Sequence, residues 1–400
     1  MPEIAEVARI VHFLKKHVVG KTVAAVKTQE DDIIYGKVGT SASAFQKAIT
    51  GKKIMDARQQ GKYFWLEMDS APHPLMHFGM SGWMKFSNDD TAYYRPAKPE
   101  EAQWPPKFWK FILQMKEEPQ DEVAFVDVRR LARIRLVDAK AEDMRKTTPL
   151  KENGPDPVLD PDILTVEWLT KKLKSKKVPV KALLLNQANI SGIGNWVGDE
   201  IMYQARLHPE QYSNTFSDAQ IKQLHDAMMY VCNLAVDKLG DSDQFPEDWL
   251  MKHRWGKGKK EDDKLPNGDK ITFLTVGGRT SAIVPSVQKK TAATAGDIAK
   301  NDEEVKPKRG GKRKAAAVNY EEEEDEENPA KAKRGRKKVE KKVQEDDEEQ
   351  DEEDEEEEEE EAPSKRRKTA NGASRKGKGQ TEAKTEETTG QRRSGRNLKA

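Results

Sequence analysis

The sequence predicts an α+β fold: a β-sandwich with covering helices, then a helical domain, a β-hairpin and a disordered tail. Three observations lead to this prediction. Short apolar runs separated by turn residues occupy the first third of the 400 residues, as in antiparallel sheets. From about residue 158 the apolar residues recur at helical spacing. Beyond residue 290 they become too few to form a core.

The N-terminal domain is predicted to begin with a helix and to continue as strands. Ile4, Val7 and Leu14 fall on one apolar stripe of residues 3–18, which is typical of a helix packed on a core. Seven strand-like runs follow before residue 140, one of them LMHFGMSGWMKF, with turns such as PPK and EEPQD between the runs. Their spacing indicates an antiparallel sandwich or barrel that the helix covers.

The second domain is predicted to be helical. Residues 165–176 and 217–240 show helical periodicity, and the longer helix opens with Ser217 and Gln220, the two residues of a capping box. After this domain, the two strand-like halves of residues 271–287 flank a glycine turn in GGRT, which predicts a β-hairpin.

Composition and turn signals divide the chain into five parts. The segment NGPDP interrupts regular structure and closes a linker between the first two domains. The predicted parts are the sandwich domain at 1–140, the linker at 141–157, the helical domain at 158–252, the hairpin region at 253–290 and the disordered tail at 291–400.

The tail is predicted to be disordered and to direct the protein to the nucleus. Residues 345–361 hold 16 acidic side chains in 17 positions, and basic clusters such as KPKRGGKRK and KAKRGRKK alternate with the acidic runs. Repulsion between like charges and the lack of apolar residues keep such a segment unfolded. The basic clusters are typical of import signals, so import factors or chromatin are the expected partners. The alternative is a solubilising tail without a specific partner.

Cysteine usage and hydropathy exclude several classes of protein. Cys232 is the only cysteine, which excludes an intrachain disulfide framework and a multi-cysteine zinc site. No run of 18 apolar residues predicts a membrane span, and a soluble intracellular protein is expected. We expect a monomer with no membrane partner, no metal and no organic cofactor.

The first residues carry the most specific chemistry. If Met1 is removed, Pro2 has a secondary amine, and attack of this amine on a sugar aldehyde carbon gives an iminium ion that promotes β-elimination. An α-amino group titrates near pH ~8 and is therefore partly nucleophilic at neutral pH. Glu3 supplies a carboxyl group for proton transfer. The alternative is that Pro2 only starts a helix and that Glu3 only complements the helix dipole.

Seven motifs, in this order, resemble the Fpg/Nei family of DNA glycosylase/AP lyases. They are MPEIAEV, GKYFWLEM, HFGMSGWMKF, DVRRLARIRL, NGPDP, KALLLNQANISGIGNWVGDEIMYQARLHPEQ and GGRTSAIVP. The chain is most similar to the fungal and plant formamidopyrimidine-DNA glycosylases of that family. The resemblance implies an Fpg-like catalytic domain and a helix–two-turn–helix (H2TH) DNA-binding domain. It also implies a zincless finger at the hairpin, since the four cysteines of bacterial members are absent.

The resemblance also implies roles for individual residues. Pro2 matches the nucleophile, and Glu3 matches the proton donor that opens the sugar. Lys62 matches the lysine that assists β-elimination, and Arg279 matches the hairpin arginine that holds a phosphate and supports δ-elimination. The implied DNA-binding residues are the wedge that fills the space of a flipped base, Met80, Arg129 and Leu131, and two phosphate-binding residues, Lys176 and Asn195.

Each assignment has a plainer alternative. Lys62 alone is compatible with an exposed edge lysine, Met80 with a core methionine, and Arg279 with a solvent-facing turn residue. Leu131 departs from the family, in which phenylalanine is usual at the wedge position. Phe108 aligns with a DNA-contacting histidine, so this histidine contact is expected to be absent.

The residues and the resemblance together predict a bifunctional glycosylase and AP lyase of base-excision repair that acts on damaged double-stranded DNA. It is expected to excise oxidised purines, namely formamidopyrimidines, hydantoins and 8-oxoguanine. It is then expected to nick the strand by β,δ-elimination through a Schiff base at Pro2. Two alternatives stay open: a Nei-like enzyme for oxidised pyrimidines, and a non-catalytic DNA- or chromatin-binding protein on the same fold.

Overall fold

A computed structural model describes residues 2–91, 103–256 and 264–291 of the chain. All of them belong to one unit, Met1–Lys312. Residues 292–400 of the predicted tail, with its basic clusters, lie outside the described residues, as do residues 257–263 of the hairpin region. Within the described residues, none of the helices is both long and apolar enough to span a bilayer.

The described part of the N-terminal domain contains two α-helices and eight strands. They are α1 (Ile4–His17), β1 (Val23–Thr28), α2 (Ala42–Ile49), β2 (Ile54–Gln60), β3 (Tyr63–Met68), β4 (His73–His77), β5 (Trp83–Phe86), β6 (Trp109–Met115), β7 (Glu122–Val126) and β8 (Arg133–Val137). One antiparallel sheet has the order β1–β6–β7–β5 and the other β2–β3–β4–β8. Side chains of both sheets, including Phe64, Phe111 and Phe125, meet in one apolar core. The predicted sandwich is therefore confirmed.

The apolar run LMHFGMSGWMKF is divided between the two sheets. The beginning of the run forms the last residues of β4, and its end forms β5. These two strands do not pair, because they belong to different sheets. The chain crosses between them at FGMSG, where Gly79 has a φ of 61° and the Gly82 N–H donates to the Phe78 carbonyl over 2.9 Å. The reading of the run as one strand-like unit was wrong, because the two glycines permit a tight turn inside it.

Helix α1 belongs to two hydrophobic cores at once. Val7 and Leu14 pack into the sandwich, as their spacing predicts. Ile4 and Ala5, in the first turn, pack instead among the helices of the second domain. The start of the chain is therefore held where the two domains meet, because opposite ends of one helix are buried in different cores.

The second domain contains five helices. They are α3 (Val166–Lys174), α4 (Val180–Leu185), α5 (Asn195–Gln204), α6 (Asp218–Asp237) and α7 (Leu250–His253). Helix α6 opens with the predicted capping box, in which Ser217 and Gln220 each accept the backbone N–H of the other. Cys232 lies on the buried face of α6, where burial raises the pKa of its thiol.

A β-hairpin follows the helices. Its strands are β9 (Thr272–Val276) and β10 (Arg279–Ile283). Val276 pairs with Arg279 across a two-residue turn, and Gly277 and Gly278 both have positive φ angles of 59° and 71°. Only a type I′ turn combines these angles, and it suits the twist of a hairpin. The turn places Arg279 at the tip of the hairpin.

Candidate active site

Glu3 links the start of the chain to the N-terminus of α5. Its two carboxylate oxygens accept the backbone N–H groups of Trp196 and Val197, each over 3.0 Å. Glu6 accepts the Glu3 N–H over 2.9 Å and the Trp196 indole N–H over 3.0 Å. Free N–H groups at a helix N-terminus need hydrogen-bond acceptors, and here the two carboxyl oxygens of Glu3 are those acceptors. Pro2, half-buried, is the next residue towards the chain start.

This link needs the glycines of SGIGN. A Cβ atom on Gly194 would lie 2.2 Å from Cδ of Glu3, and one on Gly192, whose φ is 92°, would lie 2.9 Å from the Ile4 side chain. The Ile4 N–H also donates to the Gly192 carbonyl over 3.1 Å. The loop is therefore shaped to receive the first turn of α1. Backbone N–H groups at a helix N-terminus after a glycine turn such as SGIGN can bind a phosphate, but those of Trp196 and Val197 are not available for one, because Glu3 accepts both.

Lys62 lies in the tight turn between β2 and β3 and is only 7% exposed. The preceding Gly61 has a φ of 57°, and a Cβ atom there would lie 2.7 Å from Ser191 of the second domain. The Gly61 N–H donates to Asp156 over 2.7 Å. The turn is thus pressed against the second domain, and the alternative of an exposed edge lysine does not hold.

The charges of Glu3 and Lys62 influence each other in a buried setting. Burial raises the pKa of Glu3, while Lys62 and the two N–H donors oppose that shift. Burial likewise lowers the pKa of Lys62; Glu3 opposes this shift, and Arg279 adds to it. Both pKa values therefore move towards neutrality. Such groups are suited to proton transfer.

Arg279 is placed near this pair by a buried polar network between α4, α5 and the hairpin. The ammonium of Lys181 donates to Asp199 and Ser281 over 2.6 Å each and to the Asn195 side-chain oxygen over 2.7 Å. The Asn195 amide then donates to the carbonyl of Thr280 over 2.9 Å. Asn195 is therefore fixed between α4 and the residue that follows Arg279.

The predicted wedge residues come together around Asp127, which is completely buried. Its carboxylate accepts the Ser81 hydroxyl over 2.6 Å and the backbone N–H groups of Arg129 and Ala132 over 3.2 and 2.7 Å. A Cβ atom on Gly79 would lie 2.4 Å from the backbone of Leu131. One carboxylate thus joins the turn that carries Met80 to the loop that carries Arg129 and Leu131.

The two arginines of DVRRL have different surroundings. Arg130 has a φ of 58° and binds Asp31 through Nε and one terminal nitrogen, each over 2.9 Å. Lys110 also binds Asp31, over 3.1 Å, and these donors lower the pKa of Asp31 to about 2 despite its burial. Among the described residues, the Arg129 side chain makes no ion pair. Arg129 is the one available to a ligand.

Lys176 stands apart from the residues around Glu3. It is exposed, and its ammonium donates to the side chain of Asn189 over 3.0 Å in the second domain. The structure therefore groups Glu3, Lys62, Asn195 and Arg279 with Pro2, and separately groups Met80, Arg129 and Leu131. The DNA-binding role of Lys176 stays a prediction.

Comparison with known proteins identifies the family. Residues 1–134 match the formamidopyrimidine-DNA glycosylase N-terminal domain, and residues 154–246 match the formamidopyrimidine-DNA glycosylase H2TH domain. A formamidopyrimidine-DNA glycosylase of Arabidopsis thaliana is 38% identical over 312 residues, which cover 77% of each chain. This chain belongs to the formamidopyrimidine-DNA glycosylase family. A family member from Pediococcus pentosaceus is 30% identical and covers 60% of this chain and 79% of its own.

Solved structures of the family share the fold. A Lactococcus lactis formamidopyrimidine-DNA glycosylase bound to DNA with an abasic site superimposes with a TM-score of 0.58 at 23% identity, over 72% of this chain and all of that one. A complex of the Lactococcus lactis enzyme with DNA containing a formamidopyrimidine lesion gives 0.57 at 22% identity over the same shares. The predicted family and fold class are thereby confirmed.

Two residues in this family site were missed by sequence reasoning. Asp127 was quoted within DVRRL, but nothing in the sequence shows that its carboxylate joins two loops. His77 is the second residue, and it is close enough to Lys62 for their charges to interact. Burial, followed by the positive charges of Lys62 and two arginines, lowers the pKa of His77 to about 3. Its Nδ1 accepts the Gly79 N–H over 3.0 Å, so Nε2 carries the hydrogen. The only sequence signal that could have pointed to His77 is that it is the single histidine of the HFGMSG motif.

The zinc site of bacterial family members does not fit this chain. Such a site takes four cysteines, and Cys232 is buried in the core of the second domain. Within the part of the chain that the structure describes, no three His, Cys, Asp or Glu side chains gather as metal ligands. The hairpin instead packs through Ile271, Ala282 and Val284 on Leu250 of α7.

Proposed function

We propose that this family member is a bifunctional DNA glycosylase and AP lyase of base-excision repair. It binds damaged double-stranded DNA, excises an oxidised purine and cuts the strand by β,δ-elimination through a Schiff base at Pro2. The purines are formamidopyrimidines, hydantoins and 8-oxoguanine. The names of the related proteins and the DNA in the related solved structures support this substrate class.

One observation carries the proposal. The carboxyl group of Glu3 is fixed by two backbone N–H groups directly beside Pro2, with Lys62 buried nearby and Arg279 within electrostatic range of Lys62. Glu3 is the N-cap of its own helix α1, but its two carboxyl oxygens also accept the backbone N–H groups of the distant α5, which a role in the α1 dipole alone does not require. This arrangement brings an amine, a proton donor and two cations to the junction of the domains.

The groups suggest an order of events. The Pro2 nitrogen bonds to C1′ of a flipped nucleotide as the bond from C1′ to the base breaks, and the base leaves with the electron pair and takes up a proton. Glu3, with a raised pKa, gives a proton to the sugar ring oxygen as the ring opens to the iminium ion. Loss of a C2′ proton to Lys62 then drives the electron pair into a C2′–C3′ double bond and expels the 3′ phosphate. In a second elimination, loss of the C4′ proton to water places an electron pair in a C4′–C5′ double bond and expels the 5′ phosphate, beside Arg279.

Further parts of the proposal concern the wedge, the hairpin and the tail. Met80 and Leu131 fill the space of the flipped base, and Arg129 binds the unpaired base opposite. The hairpin acts as a zincless finger, and its polar and apolar contacts with the second domain take the place of a metal. We also propose a monomeric nuclear protein whose tail contacts chromatin or import factors, on the basis of its alternating acidic and basic runs.

Reductive trapping tests the chemistry. With borohydride and an abasic duplex, we expect a covalent adduct on Pro2, identified by peptide mass spectrometry. Glu3→Gln or any residue left before Pro2 should reduce cleavage at least about 100-fold, whereas Lys151→Gln, at an exposed lysine, should have no effect. An adduct on Lys62, or full activity with Met1 retained, would contradict the proposal. Cleavage confined to oxidised pyrimidines would favour the Nei-like alternative.

A further inference from the structure

Phe108 has an unfavourable position for a residue that serves only folding. It directly precedes β6, its side chain is 56% exposed, and its φ is 59°. Left-handed backbone conformations are rare for bulky residues and cost free energy of folding. The exposed ring contributes little hydrophobic stabilisation to offset this cost. The backbone cost is therefore not offset by burial of the ring, which points to a role in binding.

The backbone of Phe108 is fixed to the wedge. Its carbonyl accepts the N–H of Asp127 over 3.1 Å, and the next residue, Trp109, pairs with Val126. Asp127 is the residue whose carboxylate holds the loops of Met80 and Leu131. Phe108 therefore cannot move independently of the wedge, because both are attached to the same residue.

Three exposed apolar side chains lie around this point. Phe108, Val128 and Leu131 are 56%, 54% and 41% exposed. Single exposed apolar residues are common on protein surfaces, but several of them on loops held by one residue indicate an interaction site. Arg129, which makes no ion pair among the described residues, projects from the same loop. Aromatic rings beside a free cation are the elements by which proteins hold unstacked bases.

We propose that Phe108 stacks on a nucleotide of the strand opposite the lesion, next to the unpaired base, and so sets affinity for the opened duplex. This inference rests on the proposed function, because it assumes that the wedge enters damaged DNA. Stacking is insensitive to salt, unlike contacts to phosphate.

Binding to a duplex with a tetrahydrofuran abasic analogue tests this role. Phe108→Ala and Phe108→Gly should weaken binding about 10-fold, with an unchanged dependence of affinity on salt concentration. Phe108→Tyr should bind within about twofold of the unsubstituted protein. The matched control is Met55→Ala, at a methionine of β2 that is 54% exposed, and it should bind normally. Phe108→Gly should unfold at the same or a higher temperature, because glycine accepts the φ of this position.

A fluorescent base reports the contact directly. With 2-aminopurine next to the unpaired position of the opposite strand, the unsubstituted protein should quench its emission, and Phe108→Gly should not. Normal affinity and quenching with Phe108→Gly, or an equal loss with Met55→Ala, would overturn the inference. If the unsubstituted protein neither binds abasic DNA nor is trapped on it, the proposed function itself fails. Normal trapping with unchanged Phe108→Gly binding would refute the stacking role alone.

Discussion

The two ends of the candidate site are built on opposite principles. At the catalytic end, formed by Pro2, Glu3, Lys62 and Arg279, the charged groups of Glu3 and Lys62 are buried at the junction of the domains, and the exposed Arg279 is within electrostatic range of Lys62. At the wedge end, formed by Met80, Phe108, Arg129 and Leu131, Phe108 and Leu131 are exposed and Met80 is half-buried, on loops that a buried carboxylate holds. Proton transfer needs desolvated titratable groups, whereas filling a gap in a base stack needs accessible apolar ones. The titratable groups therefore lie at the junction of the two domains, and the accessible apolar side chains lie on loops of the N-terminal domain.

The carboxylates near the two ends differ in the same way. Burial raises the pKa of Glu3, which caps α5. It also raises the pKa of Glu200, within α5, to about 8. Near the wedge, Asp31 is also buried, but Arg130 and Lys110 lower its pKa to about 2. Cationic partners thus outweigh desolvation at the wedge and do not at the catalytic end. We expect substitutions at the catalytic end to change rates and those at the wedge to change affinity.

The largest expected effect comes from Gly194→Ala, which should break the catalytic end. Its methyl group would lie 2.2 Å from the Glu3 carboxyl carbon, so Glu3 must leave the N-terminus of α5. A displacement of about 1 Å in such a site costs about 100-fold in rate. Single-turnover cleavage of abasic DNA measures this loss.

A second glycine of the same helix provides the control for that experiment. A methyl group on Gly198 would have its nearest neighbour at 3.7 Å, an ordinary contact. Gly198→Ala should therefore keep full activity and stabilise the helix by up to about 1 kcal/mol, measured by urea unfolding. Equal loss of activity with both substitutions would show that the contact with Glu3 is not the reason.

A smaller effect should separate the neighbouring arginines at the wedge end. Arg129→Ala should weaken binding to an abasic duplex about 10-fold without changing the unfolding temperature, since this side chain makes no ion pair among the described residues. Arg130→Ala should instead lower the unfolding temperature by a few degrees, because it leaves Asp31 with fewer donors. Binding titrations and calorimetry on both proteins check this. The opposite pattern would mean that Arg130 is the wedge residue.

The last effect concerns not activity but the pH dependence of stability near the catalytic end. With a pKa of about 8 when folded and about 4.5 when unfolded, Glu200 keeps in the folded state a proton that the unfolded chain loses. The free energy of unfolding should therefore fall as pH rises from about 4.5 to 8. Glu200→Gln imitates the protonated form, which can still accept from Met251 and interact with Gln204.

This substitution should therefore raise stability at pH 8 by about 1–4 kcal/mol and leave it unchanged near pH 4. Urea unfolding at both pH values measures the difference. Glu142→Gln, at a side chain that is 76% exposed, serves as the control and should have no effect at either pH. An equal gain at both pH values would contradict the assigned pKa.

Much of this architecture could be read from local patterns. The α1 stripe, the capping box of α6 and the glycine turn before Arg279 all appear in the structure, because each depends on residues that are neighbours in the chain. The division of LMHFGMSGWMKF could not be read, since membership of a sheet depends on partner strands. The partition of roles between Arg129 and Arg130 depends on Asp31, almost 100 residues away. The domain boundaries and the tail stay predictions.

The sequence by itself determined the elements, the family and the identities of the chemical groups, because periodicity, caps and motif order are properties of the chain. Only the tertiary structure decided that Glu3 caps a helix that begins almost 200 residues later, that Lys62 is buried and that Asp127 joins the wedge loops. The physical reason is that desolvation and hydrogen bonding depend on which distant groups meet. These contacts turn an ordinary acidic or basic residue into a proton donor, an acceptor or a support.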